Sequence, residues 1–164
     1  MTNSEIIIDC ASLQDLDQIM SLMLENQPEK GGNLSAKFER SYIEHLIRIR
    51  PIIIARRQLH VIAFLMSSDF NHNKNIPIID KMLSVYHNHA QAYLYGPICV
   101  KEEERGQGIA QAMFEELRIH EPSRQGILFI KKDNNASLRA HKKMGMNQVA
   151  HFNFEKTEYV VLTY

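Results

Sequence analysis

Hydrophobic positions along the 164-residue chain recur with two periods, one of two residues and one between three and four, and the switches between them mark out the elements. The β-branched run EIIIDCA, Glu5 to Ala11, reads as a strand. Ser12 follows as an N-cap, and Leu13, Leu16, Ile19, Met20, Met23 and Leu24 then share one face of a helix. QPEKGGN breaks that helix. Ser35 opens a second helical pattern through Phe38, Tyr42, Ile43, Leu46 and Ile47, which Pro51 stops. Ile52 to Arg57 and Leu59 to Met66 flank Gln58 as a hairpin of two strands.

The polar run SSDFNHNKNIP reads as a loop, IIDKMLSVYHNH as a short helix and AYLYGPICV as a strand. Pro97 cannot donate to a ladder, so a bulge or a splayed strand end is expected at Gly96 and Pro97. Helical spacing returns from Gly106 to Ile119, through Ile109, Ala112, Met113 and Leu117, and Pro122 closes it. GILFIKKD is a buried strand, and NASLRAHKKMG is a short helix with Gly145 past its end. NQVAHFNFE and EYVVLTY form two terminal strands around Lys156 and Thr157. Hairpins beside a strand-helix-strand crossover predict one α/β (α+β) domain over residues 1–164. Its sheet is mixed, mostly antiparallel, of six to seven strands flanked by helices.

Charge narrows the function. Lys plus Arg equals Asp plus Glu at 19 each, so no overall field draws the chain to nucleic acid or to an anionic membrane. No apolar run approaches the roughly 20 residues that span a bilayer, and MTNSEIII lacks the features of a signal peptide. A soluble, cytoplasmic protein is expected. Cys10 and Cys99 are too few for a disulfide framework, and the HxH pair His87 and His89 lacks nearby Cys or Asp ligands, so no metal is expected.

The candidate chemistry starts at KEEERGQGIAQAMFEEL. A helix N-terminus offers N–H groups and a positive dipole end, and Gly106, Gly108 and the small Ala110 leave that end open to a phosphate. Taken alone, the glycines could equally turn a corner. The Walker pattern is absent, and the dinucleotide fingerprint fails because its third glycine is Gln111 and five polar residues separate Val100 from Gly106.

From Arg105 onward the chain resembles the GNAT superfamily of acyl-CoA N-acyltransferases. That family's signature is Arg or Gln, two residues, Gly, one residue, then Gly or Ala; here it reads Arg105, Gly108, Ala110, after the strand end PICV. A second motif, NNASLRAHKKMGM, matches with Asn134, Ser137, Gly145 and Met146 in register. The resemblance implies that Arg105, Gly106, Gln107, Gly108, Ile109, Ala110 and Gln111 surround the diphosphate of coenzyme A. It implies that Ile98, Cys99 and Val100 line its pantetheine arm like an added strand, where two parallel strands splay, and that Asn134, Ser137 and His141 meet the cofactor from the helix of the second motif. Lys142 and Lys143 could reach its 3′-phosphate or simply be solvated. Glu102, Glu103 and Glu104 read as a solvated approach to the helix, or as a lure for a cationic amine.

Acyl transfer from a thioester needs a neutral amine, a polarised carbonyl and a proton for the leaving thiolate. Backbone N–H groups near Val100 could polarise the carbonyl. Where the family commonly places a proton-donating Tyr, this chain has His141, which could donate as imidazolium but not as neutral imidazole, or could only pack. Tyr93 and Tyr95 are reserve donors, and Asp69 with water is one candidate base. The expected function is an N-acetyltransferase moving an acetyl group from acetyl-CoA to a primary amine of a small molecule or peptide, by direct attack on the thioester. The alternative is a non-catalytic coenzyme A sensor of the same fold. The expected partners are acetyl-CoA and an amine acceptor, with a homodimer left open.

Overall fold

The short apolar and β-rich stretches form strands β1 (Ile6–Cys10), β2 (Ile53–Arg57), β3 (His60–Ser68), β4 (Tyr93–Val100), β5 (Gly126–Lys131), β6 (Asn147–Phe154) and β7 (Thr157–Thr163). Stretches with helical spacing form α1 (Leu16–Glu25), α2 (Arg40–Ile49), α3 (Pro77–Val85), α4 (Ile109–His120) and α5 (Asn135–Lys143). The computed structural model describes residues 4–34, 37–73, 75–87 and 90–164. Ser35 and His89, both singled out in the sequence, lie outside them. Among the described residues the strands follow the order β1-β2-β3-β4-β5-β7-β6 in one seven-stranded sheet. The β4/β5 pair is parallel, whereas β1/β2, β2/β3, β5/β7 and β6/β7 are antiparallel.

The chain divides into two compact units, Met1–Ser67 with Pro97–Pro122, and Ser68–Gly96 with Ser123–Tyr164. In the first, Ile54 and Phe64 pair across β2 and β3 and pack with Leu16, Ile19 and Met23 of α1 and Ile43 and Leu46 of α2. Strand alternation sends Ile53, Ala55, Ala63 and Leu65 to the other face, where they are fully buried, and α4 packs against β1 and β2. Each such large apolar side chain contributes roughly 1.5–3 kcal/mol by leaving water.

Ser12 does not begin α1 directly. A 3-10 turn, Leu13–Asp15, intervenes, and the Asp15 carboxylate accepts from the Ser12 N–H at 2.8 Å and from both Arg56 terminal nitrogens at 2.6 and 2.7 Å. Burial opposes ionisation of Asp15, but the hydrogen bonds from Arg56 and Ser12 prevail and hold its carboxyl below the usual carboxylate range.

In the second unit, α3 lays Ile79 and Met82 against Leu94, Ile127, Val161, Phe152 and Tyr159. The short helix read from IIDKMLSVYHNH is therefore real and belongs to a core. The terminal hairpin turns at Glu155 and Lys156, both left-handed at φ 46° and 64°, a geometry that matches strand twist. The parallel ladder of β4 and β5 has two pairs, Tyr93 with Gly126 and Leu94 with Ile127. It stops at Leu94 and Ile127, and Gly96, just beyond, has a φ of 104° that needs glycine.

The first unit also contains a buried ion pair. Arg50, just past α2, donates to the Glu121 carboxylate at the end of α4 and, through Nε, to Ser67 Oγ at 2.9 Å on β3. Their side chains are only 10% and 7% exposed. Removing one member strands the other charge in a low dielectric, so Glu121→Ala should cost about 3 kcal/mol in a urea titration, whereas the double change Arg50→Met with Glu121→Leu should cost much less. Equal losses in the two variants would show that packing, not charge, is what the pair supplies.

Candidate active site

Helix α4 begins later than its apolar spacing suggests, at Ile109 and not at Gly106. The residues before it form a tight turn in which Gly106 and Gly108 are both left-handed, at φ 79° and 76°. A side chain there would be strained. A Cβ built on either glycine would meet no atom within 4 Å, so the space in front of the turn is open. Gly108 is the N-cap and has no side chain with which to cap the helix. The first bond of the helix ladder runs from the Ala112 N–H to the Gly108 carbonyl at 3.0 Å. The N–H groups of Ile109, Ala110 and Gln111 precede that bond and point from the N-terminal end.

Side chains hold this turn from outside. Arg57 of β2 donates to both Glu104 carboxylate oxygens, from Nε at 3.0 Å and Nη2 at 2.8 Å, and from Nη2 to Gln107 Oε1 at 3.2 Å. Gln107 donates in turn to Glu104 Oε2 at 2.9 Å. The Arg57 hydrogen bond leads the effects that hold the Glu104 carboxyl below its ordinary range. The three glutamates are therefore not one solvated approach. Glu102–Glu104 is a 3-10 turn in which Glu103 pairs with Lys101 at 3.1 Å and Glu104 is a structural clamp. The Glu104–Gln107 spacing was visible in the sequence; the partner 47 residues away was not.

Several residues singled out from the sequence spend their side chains elsewhere. Arg105 donates to the Val100 carbonyl at 3.1 Å and to Asn26 Oδ1 at 3.0 Å. The Gln111 amide donates to Glu115 at 3.2 Å, and the Ile109 side chain is buried. Cys99 is buried with its thiol directed at the Leu22 carbonyl, and burial pushes that thiol up to about 12, which makes it inert at neutral pH. What this segment presents is its backbone.

In the other unit, Asn134 caps α5, its Oδ1 accepting from the Ser137 N–H at 3.3 Å. His141, one turn on, is only 3% exposed. Its Nδ1 lies 2.7 Å from the Ser137 carbonyl oxygen, which can only accept, so Nδ1 carries the hydrogen. Its Nε2 is 3.2 Å from the Tyr95 hydroxyl, with the rings edge to face. In the neutral ring Nε2 is then an acceptor and Tyr95 the donor. Burial, partly offset by the Ser137 carbonyl, pushes the imidazole below its ordinary value. The imidazolium required for an acid role is thus disfavoured, which weighs against the first of the two roles left open for His141.

The reserve groups are engaged as well. The Tyr93 hydroxyl meets the Tyr164 hydroxyl, and Asp69 accepts from Arg124 at 2.7 Å. Burial pushes the Tyr95 phenol well up, so it stays neutral. Among the described residues no helix is long and apolar enough to cross a membrane.

The model of the acetyltransferase (GNAT) family matches residues 16–146. No curated protein matches the chain. Among solved structures, a GNAT-family acetyltransferase from Bacillus cereus ATCC 10987 superposes with a TM-score of 0.71 at 16% identity, covering 98% of this chain and 97% of that one. An N-acetyltransferase from Staphylococcus aureus Mu50 gives 0.71 at 19% identity over 98% of each chain. The Salmonella typhimurium protein yncA, solved with its cofactor acetyl-CoA, gives 0.72 at 14% identity, covering 98% of this chain and 94% of that one. At such identities the structural likeness establishes the fold, and the family model, spanning most of the chain, establishes the membership. The chain belongs to the GNAT family of acetyl-CoA-dependent N-acetyltransferases.

Proposed function

We propose that the protein transfers the acetyl group of acetyl-CoA to a primary amine of a small molecule or peptide, by direct attack of the amine on the thioester, and that residues 1–164 act as one N-acetyltransferase domain. The observation that carries this reading is the bare, left-handed turn at Gly106 and Gly108 in front of an uncapped helix start. A diphosphate fits such a turn, because it supplies the acceptors that the N–H groups of Gly108, Ile109, Ala110 and Gln111 lack a capping side chain to provide. Gly106 keeps the approach open, and Gln107, clamped to Glu104, fixes the shape of the turn. Ile98, Cys99 and Val100 serve the pantetheine arm through their backbone, and Asn134, Ser137 and His141 serve the cofactor from α5.

Bound acetyl-CoA supplies the activated acetyl group. The chain contributes orientation and a hydrogen-bond donor, the Val100 N–H, aimed at developing negative charge. His141 holds no proton to give at Nε2; it receives the Tyr95 hydrogen bond and orients that phenol. A thiol titrating near 8.5 is a fair leaving group, so the thiolate can depart and take its proton from water. The incoming amine must arrive neutral.

Three measurements test these statements. Asn tolerates the left-handed region, so Gly108→Asn should stay folded yet bind coenzyme A at least about tenfold more weakly by calorimetry. Equal affinity would remove the diphosphate from the turn. Imidazole 15N shifts at pH 6.5 should show His141 protonated at Nδ1 alone, and a doubly protonated ring would restore it as the acid. A pooled amine screen with acetyl-CoA, read by mass spectrometry, should return acetylated primary amines with steady thiol release. Coenzyme A binding without turnover on any amine would favour a sensor over an enzyme.

A further inference from the structure

Two of the three guanidinium nitrogens of Arg105 donate to atoms of the protein. Nε donates to the Val100 carbonyl at 3.1 Å and Nη2 to Asn26 Oδ1 at 3.0 Å. We propose that Arg105 is a positioning residue that brackets the Val100–Lys101 peptide to the end of α1, and not a ligand of the coenzyme A diphosphate. This rests on the coenzyme A reading of the turn, which it deepens.

Each arm lands on a group that is otherwise fully committed. The other side of the Val100–Lys101 peptide is held too, because the Lys101 N–H donates to the Ile62 carbonyl at 2.8 Å. With its C=O and N–H both bonded, this peptide plane cannot rotate. A fixed plane sets the backbone of Val100, and with it the direction of the Val100 N–H proposed to polarise the thioester. Arg105 also occupies one of the two acceptor positions of the Val100 carbonyl.

Asn26 is buried, and its remaining groups are spoken for: Nδ2 donates to the Leu22 carbonyl at 2.8 Å, and its own carbonyl accepts from the Leu34 N–H at 3.0 Å. Asn26 therefore ties the last turn of α1 to the segment that leads away from it. If Arg105 swung to a phosphate, a part-buried amide oxygen and a strand-end carbonyl would lose their donor together, which opposes that movement.

The bracket predicts a loss of turnover with little loss of cofactor affinity. In Arg105→Ala, the coenzyme A dissociation constant should stay within about threefold of wild type, while kcat on the best amine falls about tenfold. Arg105→Gln keeps a donor able to reach one of the two acceptors and should recover part of kcat. Asn26→Ala, which removes the other arm, should fall between wild type and Arg105→Ala. A rise of about tenfold or more in the coenzyme A dissociation constant of Arg105→Ala, with kcat unchanged, would make Arg105 a cofactor ligand and overturn the proposal. Hydrogen exchange on the cofactor-free protein decides the bracket separately. Arg105→Ala should exchange about tenfold faster over residues 26–34 and at Lys101. Unchanged exchange overturns the bracket even if wild type binds coenzyme A, and a wild type that binds none sinks the reading of the turn while leaving the exchange result to stand.

Discussion

The start of α4 has no cap of its own, and most of what surrounds it follows from that. Gly108 stands where Ser, Thr, Asp or Asn would otherwise be preferred, so the first N–H groups of the helix receive no capping side chain. The left-handed backbone at Gly106 and Gly108 costs conformational entropy that the turn itself cannot recover. It is recovered by a clamp built from elsewhere in the same unit: the Arg57 fork on Glu104, and Gln107 folded back onto the same carboxylate. The guanidinium of Arg105 adds a second hold at the strand end. Charged side chains thus shape the turn while its open side stays bare.

The same unit closes its polar account around buried charge. Asp15 with Arg56, and Arg50 with Glu121 and Ser67, place ion pairs where helix ends meet strands. Such pairs add little net stability over an apolar alternative, but each is expensive to break by halves. They therefore fix which helix end meets which strand, a constraint that hydrophobic contacts alone leave loose.

In the other unit the polar chain from the Ser137 carbonyl through His141 to Tyr95 reaches the same end with neutral groups. A carbonyl can only accept, so the tautomer of His141 follows from one distance. The family's tyrosine position is occupied here by a ring that donates from Nδ1 to the Ser137 carbonyl and meets the Tyr95 hydroxyl at Nε2.

Much of this was legible in the residues. Period-two and helical spacing located the seven strands and five helices, including α3 and the turn at Lys156, because burial of one face is a local, repeating demand on the chain. The spacing of Arg105, Gly108 and Ala110, followed by Asn134 and Ser137, pointed to the family and to the turn. The start of α4 was misplaced by three residues, since apolar spacing is blind to the sign of φ and the helix begins only after the second left-handed glycine. Glu104 read as solvent-facing because its partner, Arg57, lies 47 residues away. The bond from Arg105 to Asn26 was not legible because the two residues are 79 apart. The sequence by itself determined the elements and the bare turn, which depend on neighbours a few residues apart. Only the tertiary structure decided the protonation of His141 and the partners of the charged side chains, because burial and hydrogen bonds between distant segments exist only once the chain has folded.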